Sequence, residues 1–472
     1  MNLENLRNEY PKTPNFIHEM IESEVQTQMK KKSTCRKHLF TKYAVAGVAA
    51  VLCLGTVAFA GNQLYKWYFE NEGDYGVKLS YQPDTQTVPN EVPVLSITPT
   101  VLPDGFVMAE NNPYQYHSSE HPYLGGFSIV PLAMDTTPVN GSLGITDRFV
   151  VDSEQFTVGN WEGVYLKKEN EKHKGDEIAF NQTIYLACPE YYQVVVIYIG
   201  EDVTKEQAIA MAQGLDIKPS EETISLDSMT TWSEWNTPVS ESSERNVSVA
   251  LNKLNPIVSI GQDFAFETIS YNSSNEPAEV SLSASVTDVQ LCDNFSLLDP
   301  TLVDERMQSA VGADGKLVPN TISYLKTGDG VNTLDTVLFN ETVNQKLAVI
   351  SIELTNTTDQ TLDNILYNFN LCLMEQTNDA LSMYDRALAD DNDQTNAVSY
   401  SSIGGENQEM YYYSPQKAGK NYIESLAPGE SVTIQIANVI NADEADKLFL
   451  SAGMYSSAFE ITPEAQYIDI RQ

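Results

Sequence analysis

Residues 116–123 read YHSSEHPY, and within them His117-Ser118-Ser119-Glu120-His121 spells H-x-x-E-H. In inverted-motif zinc peptidases two such histidines hold the metal and the glutamate beside them acts as general base. That chemistry needs a helix, because helical spacing puts residues i and i+4 on one face, where both can reach one ion. The neighbouring residues argue against a helix. Pro113 stands four residues before His117, Pro122 directly follows His121 and disfavours helical backbone there, and Gly125-Gly126 close the segment. Tyr114, Tyr116 and Tyr123 alternate as strand ends around a loop do. The expectation is a loop on a β-rich domain, able to take up a metal opportunistically or to respond to pH near ~6–7.

Other chemistry-bearing patterns are as weak. Asp390-Asp391-Asn392-Asp393 is an acidic cluster, but an EF-hand loop counted from Asp390 puts Thr395 where Gly is needed and Ser401 where Glu is needed. A solvated acidic loop is the expectation, with an irregular surface Ca²⁺ site as the alternative. There is no G-x-S-x-G and no Walker loop. The five cysteines (Cys35, Cys53, Cys188, Cys292, Cys372) include no C-x-x-C pair and read as single buried thiols. No catalytic, cofactor-binding or metal-ligating residue is assigned, no cofactor is expected, and the chain is read as a non-enzyme.

The elements around these residues come from charge and hydropathy. The formal net charge is −37, unevenly spread. Residues 1–42 hold eight Lys/Arg against five acids, a formal +3, and the rest holds 20 basic against 60 acidic residues, a formal −40. A body this acidic repels nucleic acid, which is excluded as a partner. Between the two lies YAVAGVAAVLCLGTVAFAG, residues 43–61, with no charge in 19 residues. As a helix it spans roughly 29 Å, the hydrocarbon thickness of a bilayer. Lys30–Lys42 is strongly basic and Tyr65, Trp67 and Tyr68 follow the run. The positive-inside rule then places 1–42 in the cytoplasm and 62–472 outside, on a single-pass cell-membrane protein. Cleavage after Ala58-Phe59-Ala60 is the alternative, disfavoured by the long charged region before the run and by the length of the run itself.

Residues 14–32 predict an amphipathic helix in the cytoplasmic tail. Thr13 caps it, Pro14 suits its first turn, and acids early and lysines late match the helix dipole. Phe16, Ile17, Met20, Ile21 and Val25 form one apolar stripe that so short a tail cannot bury. They are the candidate partner-binding residues, and a helix lying on the membrane is the alternative.

After a juxtamembrane linker (62–73), residues 74–218 carry the runs GVKLSYQ, GGFSIVPL, EGVYLKKE and YQVVVIYIG. Many runs alternate as an antiparallel sheet buried on one face does. Thr204, Gln207 and Gly214 frame a closing helix with a capping box. An α+β domain is predicted. Residues 219–247 are rich in Ser, Thr and Glu and read as a linker, with Trp232 and Trp235 docking it onto a neighbour. Residues 248–472 read as all-β: SIGQDFAFETISYN, KLAVISIELTNTTDQTL, SVTIQIANVI and KLFLSAGM predict a sandwich. The fold class is thus membrane-anchored and mainly β, with one transmembrane helix, an α+β antiparallel-sheet domain closed by a helix, and a β-sandwich.

Several motifs carry a resemblance. Leu102-Pro103-Asp104-Gly105-Phe106, Asn160-Trp161-Glu162-Gly163 and Thr204-Lys205-Glu206-Gln207-Ala208-Ile209, in this order after the anchor and the opening MNLENLRNEYPKTPNFIHEMIESEV, resemble single-pass anti-sigma-factor-like membrane proteins of Gram-positive bacteria. That resemblance implies extracytoplasmic sensing rather than catalysis, and a sigma factor or other regulator as cytoplasmic partner. The zinc cluster of many anti-sigma domains has no counterpart, since His18, Cys35 and His38 are too few and wrongly spaced. LAVISIELTNTTDQTL with Leu426-Ala427-Pro428-Gly429-Glu430 resembles immunoglobulin-like (telokin-like) domains of bacterial surface proteins, which implies a binding or spacer module. The expected function is a single-pass membrane protein that senses or binds an extracytoplasmic ligand and contacts a regulator inside. The alternative is an anchored surface binding or spacer protein. A metallohydrolase built on the HSSEH segment is the third reading.

Overall fold

A computed structural model describes residues 65–83, 88–110, 112–120, 125–135, 144–171, 180–236, 246–271, 276–403, 409–416 and 419–471. The tail 1–42 with its helix 14–32, the stripe Phe16, Ile17, Met20, Ile21 and Val25, and the crossing 43–61 lie outside the described residues. No helix among the described residues is long and apolar enough to cross a membrane. The described chain is mainly β.

The first module runs through β1 (Tyr65–Glu72), β2 (Gly76–Pro83), β3 (Glu91–Pro99), β4 (Phe106–Ala109), β5 (Asn112–Ser118), β6 (Phe127–Ala133), β7 (Gly144–Asp147), β8 (Val150–Val158), β9 (Trp161–Lys168), β10 (Gln182–Cys188) and β11 (Gln193–Ile199). Helix α1 (Lys205–Gln213), β12 (Leu215–Ser225) and the short α2 (Trp232–Asn236) complete it. Among the described residues, seven strands form one antiparallel sheet in the order β4-β5-β6-β11-β10-β9-β8. Every residue of β10 is buried. One face of the sheet packs under α1 and the β3–β12 ribbon, through Ala208, Met211, Ala212, Leu95 and Ile217. The other packs under β2, β7 and α2, through Leu79, Tyr81, Ile145 and Trp232. The alternation expected for a sheet buried on one face therefore fails in the centre: Val194, Val195, Val196 and Ile197 in succession are apolar because both faces are covered. Helix α1 has the predicted frame, with Thr204 and Gln207 forming a capping box and Gly214 at the C-cap.

Two stretches read as linkers contribute structure to this module. Within 62–73, β1 pairs with β2 along its whole length. Within 219–247, β12 continues against β3 to Ser225, across an irregularity between Pro219 and Thr223. Trp232 is then fully buried against Tyr81 (ring centroids 6.0 Å apart) and Tyr185 (5.5 Å). The indole supplies apolar area of the kind that anchors a core, and Ser/Glu-rich composition concealed it.

The second module runs through β13 (Ser248–Ala250), β14 (Val258–Ser259), β15 (Phe264–Tyr271), β16 (Pro277–Cys292), helix α3 (Glu305–Ser309), β17 (Asn320–Lys326), β18 (Thr336–Val343), β19 (Gln345–Thr355), β20 (Leu362–Leu366), β21 (Phe369–Gln376) and β22 (Ala380–Met383). It continues through helix α4 (Arg386–Ala389), β23 (Ala397–Tyr400), β24 (Glu409–Tyr413), β25 (Tyr422–Leu426), β26 (Ser431–Asn441), β27 (Leu448–Ala452) and β28 (Gln466–Asp469). Among the described residues, a seven-stranded sheet (β24-β26-β19-β16-β15-β20-β25) faces a six-stranded one (β13-β22-β21-β27-β28-β14). Their inner faces share one core in which Phe266 stacks on Phe369 at 4.6 Å. The helices α3 and α4 depart from the all-β expectation.

A separate three-stranded sheet, β18-β17-β23, is termed the arm. Its tip, between β17 and β18, meets the first module through backbone hydrogen bonds. Tyr75 N–H donates to Val331 O (2.8 Å) and Phe149 N–H donates to Gly330 O (2.7 Å). Gly330 has φ +67°, and a Cβ there would come within 2.5 Å of the Phe149 ring. Asp329 shapes the tip by accepting the N–H groups of Val331 (3.0 Å), Asn332 (2.7 Å) and Thr333 (2.9 Å).

Candidate functional site

The first two residues of the HSSEH segment, His117 and Ser118, lie in a strand rather than a helix. His117 lies on β5 in register with Val107, its Nδ1 3.0 Å from Ser118 O. It therefore belongs to a strand and not to the loop expected from Pro113 and Pro122. Glu120 follows in a bend and His121 lies outside the described residues. Among the described residues no group of three or more His, Cys, Asp or Glu is arranged to hold a metal. Cys188 and Cys372 are buried thiols, and burial pushes the Cys188 thiol up. Cys292 is half-buried.

The arm and the segment after β22 instead enclose an open cleft of about 520 Å³, lined by Tyr324, Phe339, Glu341, Tyr384, Arg386 and Asp390 among others. Its construction follows from strand geometry. Tyr324 on β17 faces Phe339 on β18 in the ladder, and their rings stack at 4.3 Å with planes 14° apart. Glu341, two residues beyond Phe339, shares its face by the period of two. Tyr324 Oη donates to Glu341 Oε2 at 2.8 Å. Phe339 is 39% exposed, so its ring is a wall of the cleft and not part of the core.

Arg386 forms the floor. It opens α4, whose N-cap Asp385 accepts from Ala387 N–H at 2.8 Å. Its side chain is only 6% exposed. Nε donates to Glu444 Oε1 (2.9 Å) and Nη2 to Asp443 Oδ1 (2.7 Å), while Nη1 lies 3.4 Å from Glu341 Oε2 and 3.5 Å from Tyr324 Oη. Glu444, equally buried, also accepts from Asn441 Nδ2 (3.0 Å), and Asn441 Oδ1 accepts from Asn320 Nδ2 (2.9 Å). The chain of bonds ties the base of the arm to β26. Burial would pull the guanidinium down, but Asp443, Tyr324 and Glu444 hold it charged. Burial also pushes Glu444 above the usual carboxylate range, against the pull of Arg386. The Tyr384 phenol is pushed up to about 12 by burial, so the ring is neutral at physiological pH, and Lys447 Nζ sits 4.9 Å from its centroid.

The charge balance of the cleft is negative. Among its lining residues Glu341, Asp390 and Asp391 stand against Arg386 alone, whose charge Glu444 and Asp443 already engage. Asp390 Oδ2 is shielded from solvent and has no hydrogen-bond partner among the described residues. Asp390 and Asp391 were flagged in the sequence as an acidic loop. The residues completing the cleft carry no such signal, because the lining lies on three segments spread over 67 positions, from Tyr324 to Asp391. One local signal existed: Arg386 is the only Lys or Arg between residues 347 and 416.

Elsewhere, Trp235 is 47% exposed and donates through Nε1 to Tyr198 Oη at 2.7 Å, with Phe180 beside Tyr198 at 6.1 Å. This is the outward edge of the docked segment whose inner residue is Trp232.

No family model, no curated protein and no solved structure matches the chain.

Proposed function

We propose that the protein is a non-enzymatic, single-pass membrane protein whose two outer modules bind or sense an extracytoplasmic ligand and whose cytoplasmic helix contacts a regulator. The observation that carries this reading is the uncharged stretch 43–61 set between a basic tail and a strongly acidic body. Two further features support it. The facing sheets of the second module suit the immunoglobulin-like resemblance, and the backbone contacts at Tyr75 and Phe149 couple the ligand-accessible arm to the membrane-proximal module. The regulator is a sigma factor in the reading that the tail and the first outer domain resemble most.

The test is co-purification of the full-length protein, in maltoside micelles, with the sigma factor encoded beside its gene. The expected result is a stoichiometric complex that is lost when Phe16, Ile17, Met20 and Ile21 are all replaced by Ser. No complex, or one indifferent to those replacements, overturns the regulatory half. It would favour the alternative reading of an anchored surface binding or spacer protein.

A further inference from the structure

We propose that the cleft between Phe339, Glu341 and Asp390 binds an organic cation carrying a compact ammonium head, of the quaternary-ammonium or lysine side-chain class. The inference deepens the sensing reading by naming a ligand class, and rests on that reading only for its biological use.

Four observations carry it. The cleft has the size of a small-molecule site, within the usual ~300–1,000 Å³. Its walls are aromatic: Tyr324 and Phe339 stack on each other, and Phe339 keeps an exposed face to which a cation is drawn by the ring quadrupole. Cations of the chain itself sit at and beside the site, with Arg386 on its floor and Lys447, outside the lining, over the Tyr384 ring. Arg386 is engaged by Asp443 and Glu444 and lies 3.4 Å from Glu341, whereas Asp390 and Asp391 line the cleft without an ion pair among the described residues, and Asp390 Oδ2, shielded from solvent, has no hydrogen-bond donor among them. An anion would meet three carboxylates with no cation to spare. A neutral ligand would leave those carboxylates uncompensated as it displaced their water.

The architecture gives the site a route to the rest of the molecule. Tyr324 and Phe339 lie on the two strands whose connecting loop touches Tyr75 and Phe149, so a ligand braced against these rings bears on the inter-module contact.

The experiment is calorimetric titration of the full-length protein in maltoside micelles with choline, tetramethylammonium and N-acetyl-lysine methylamide. The neutral choline isostere 3,3-dimethylbutanol and Ca²⁺ are run alongside. At physiological salt the ammonium probes bind at one saturable site, and the isostere binds at least ~10-fold more weakly. Phe339→Ala, at a partly exposed strand position, weakens the ammonium probes about fivefold, and Asp390→Asn with Asp391→Asn weakens them more. Melting temperatures of the variants close to that of the parent show that folding is not the cause. Three results overturn the proposal: no saturable binding up to ~10 mM, equal binding of isostere and cation, or binding that is indifferent to all three replacements. Preferential uptake of Ca²⁺ also overturns it and marks an ion site. Cation binding and the tail complex are read separately, so either reading can fail while the other stands.

Discussion

Each module buries a charged side chain in a polar network, and the two networks differ in what they leave open. In the first, Asp135 is 2% exposed at the end of β6. It accepts from Tyr81 Oη (3.0 Å), Ser233 Oγ (2.8 Å) and Ser233 N–H (3.3 Å), beneath the fully buried Trp232. All its partners belong to the chain, and the result is a clasp that pins residues 230–236 to a core nearly a hundred positions earlier. In the second, Arg386 is as deeply buried and as fully bonded, yet its partners Glu341 and Tyr324 form the wall of an open cleft. A buried charge is weak evidence for stability, because removing its water costs several kcal/mol. The clasp offsets that cost by closing a core. The Arg386 cluster leaves acids and an aromatic face exposed, and such a face is where a ligand adds a contact the protein does not make alone.

Replacements that separate the two networks test this contrast. Arg386→Ala leaves Glu444 buried without its cation and costs about 3–5 kcal/mol of stability; equilibrium denaturation measures it. Replacing the pair together by Met and Leu restores most of that loss but still weakens choline binding, since Glu341 then loses its anchor. Trp232→Ala costs about 3–5 kcal/mol in the first module by opening a cavity, with cation affinity unchanged. A change in affinity would show that the clasp and the cleft are not independent. Asp135→Ala removes the carboxylate that accepts from Ser233, while Tyr81 keeps the main-chain carbonyl of residue 135 at 3.0 Å, and costs about 1–3 kcal/mol in the same assay. Thr204→Ala removes the cap of α1 and costs about 1 kcal/mol.

The smallest effect concerns the arm tip. The Asn332 amide, together with the N–H groups of Asn332, Thr333 and Val331, holds the Asp329 carboxyl well below its ordinary value of 3.8. Because the folded value is depressed, its contribution is fully present above pH ~4 and is lost as pH falls below that value. The stability difference between the protein and Asp329→Asn is therefore constant from pH 7 to 5 and shrinks below pH ~4. A difference that grows on acidification would contradict the assignment.

Much of the framework was legible in the residues themselves. Thr204, Gln207 and Gly214 announce α1, because capping chemistry is local. The apolar runs of β10, β11, β19 and β26 announce strands, because propensity and periodicity are local too. Two-sided burial of β10 and β11 was not legible, since what covers each face is decided by tertiary packing: α1 on one side and Trp232, more than thirty positions on, on the other. The arm escaped notice for the opposite reason: β18 is exposed at most positions and shows no apolar alternation. The cleft was the least legible, because Tyr324, Glu341, Arg386 and Glu444 share no motif and meet only through tertiary pairing. The one motif that matched an enzyme, at His117, matched it in letters and not in backbone.

The most direct measurement of the cation cleft is a crystal structure of the protein grown with ~10 mM tetramethylammonium. The expected result is the ammonium seated against the exposed face of Phe339, within contact of Glu341 and Asp390. An empty cleft with the cation bound elsewhere, or nowhere, would contradict it.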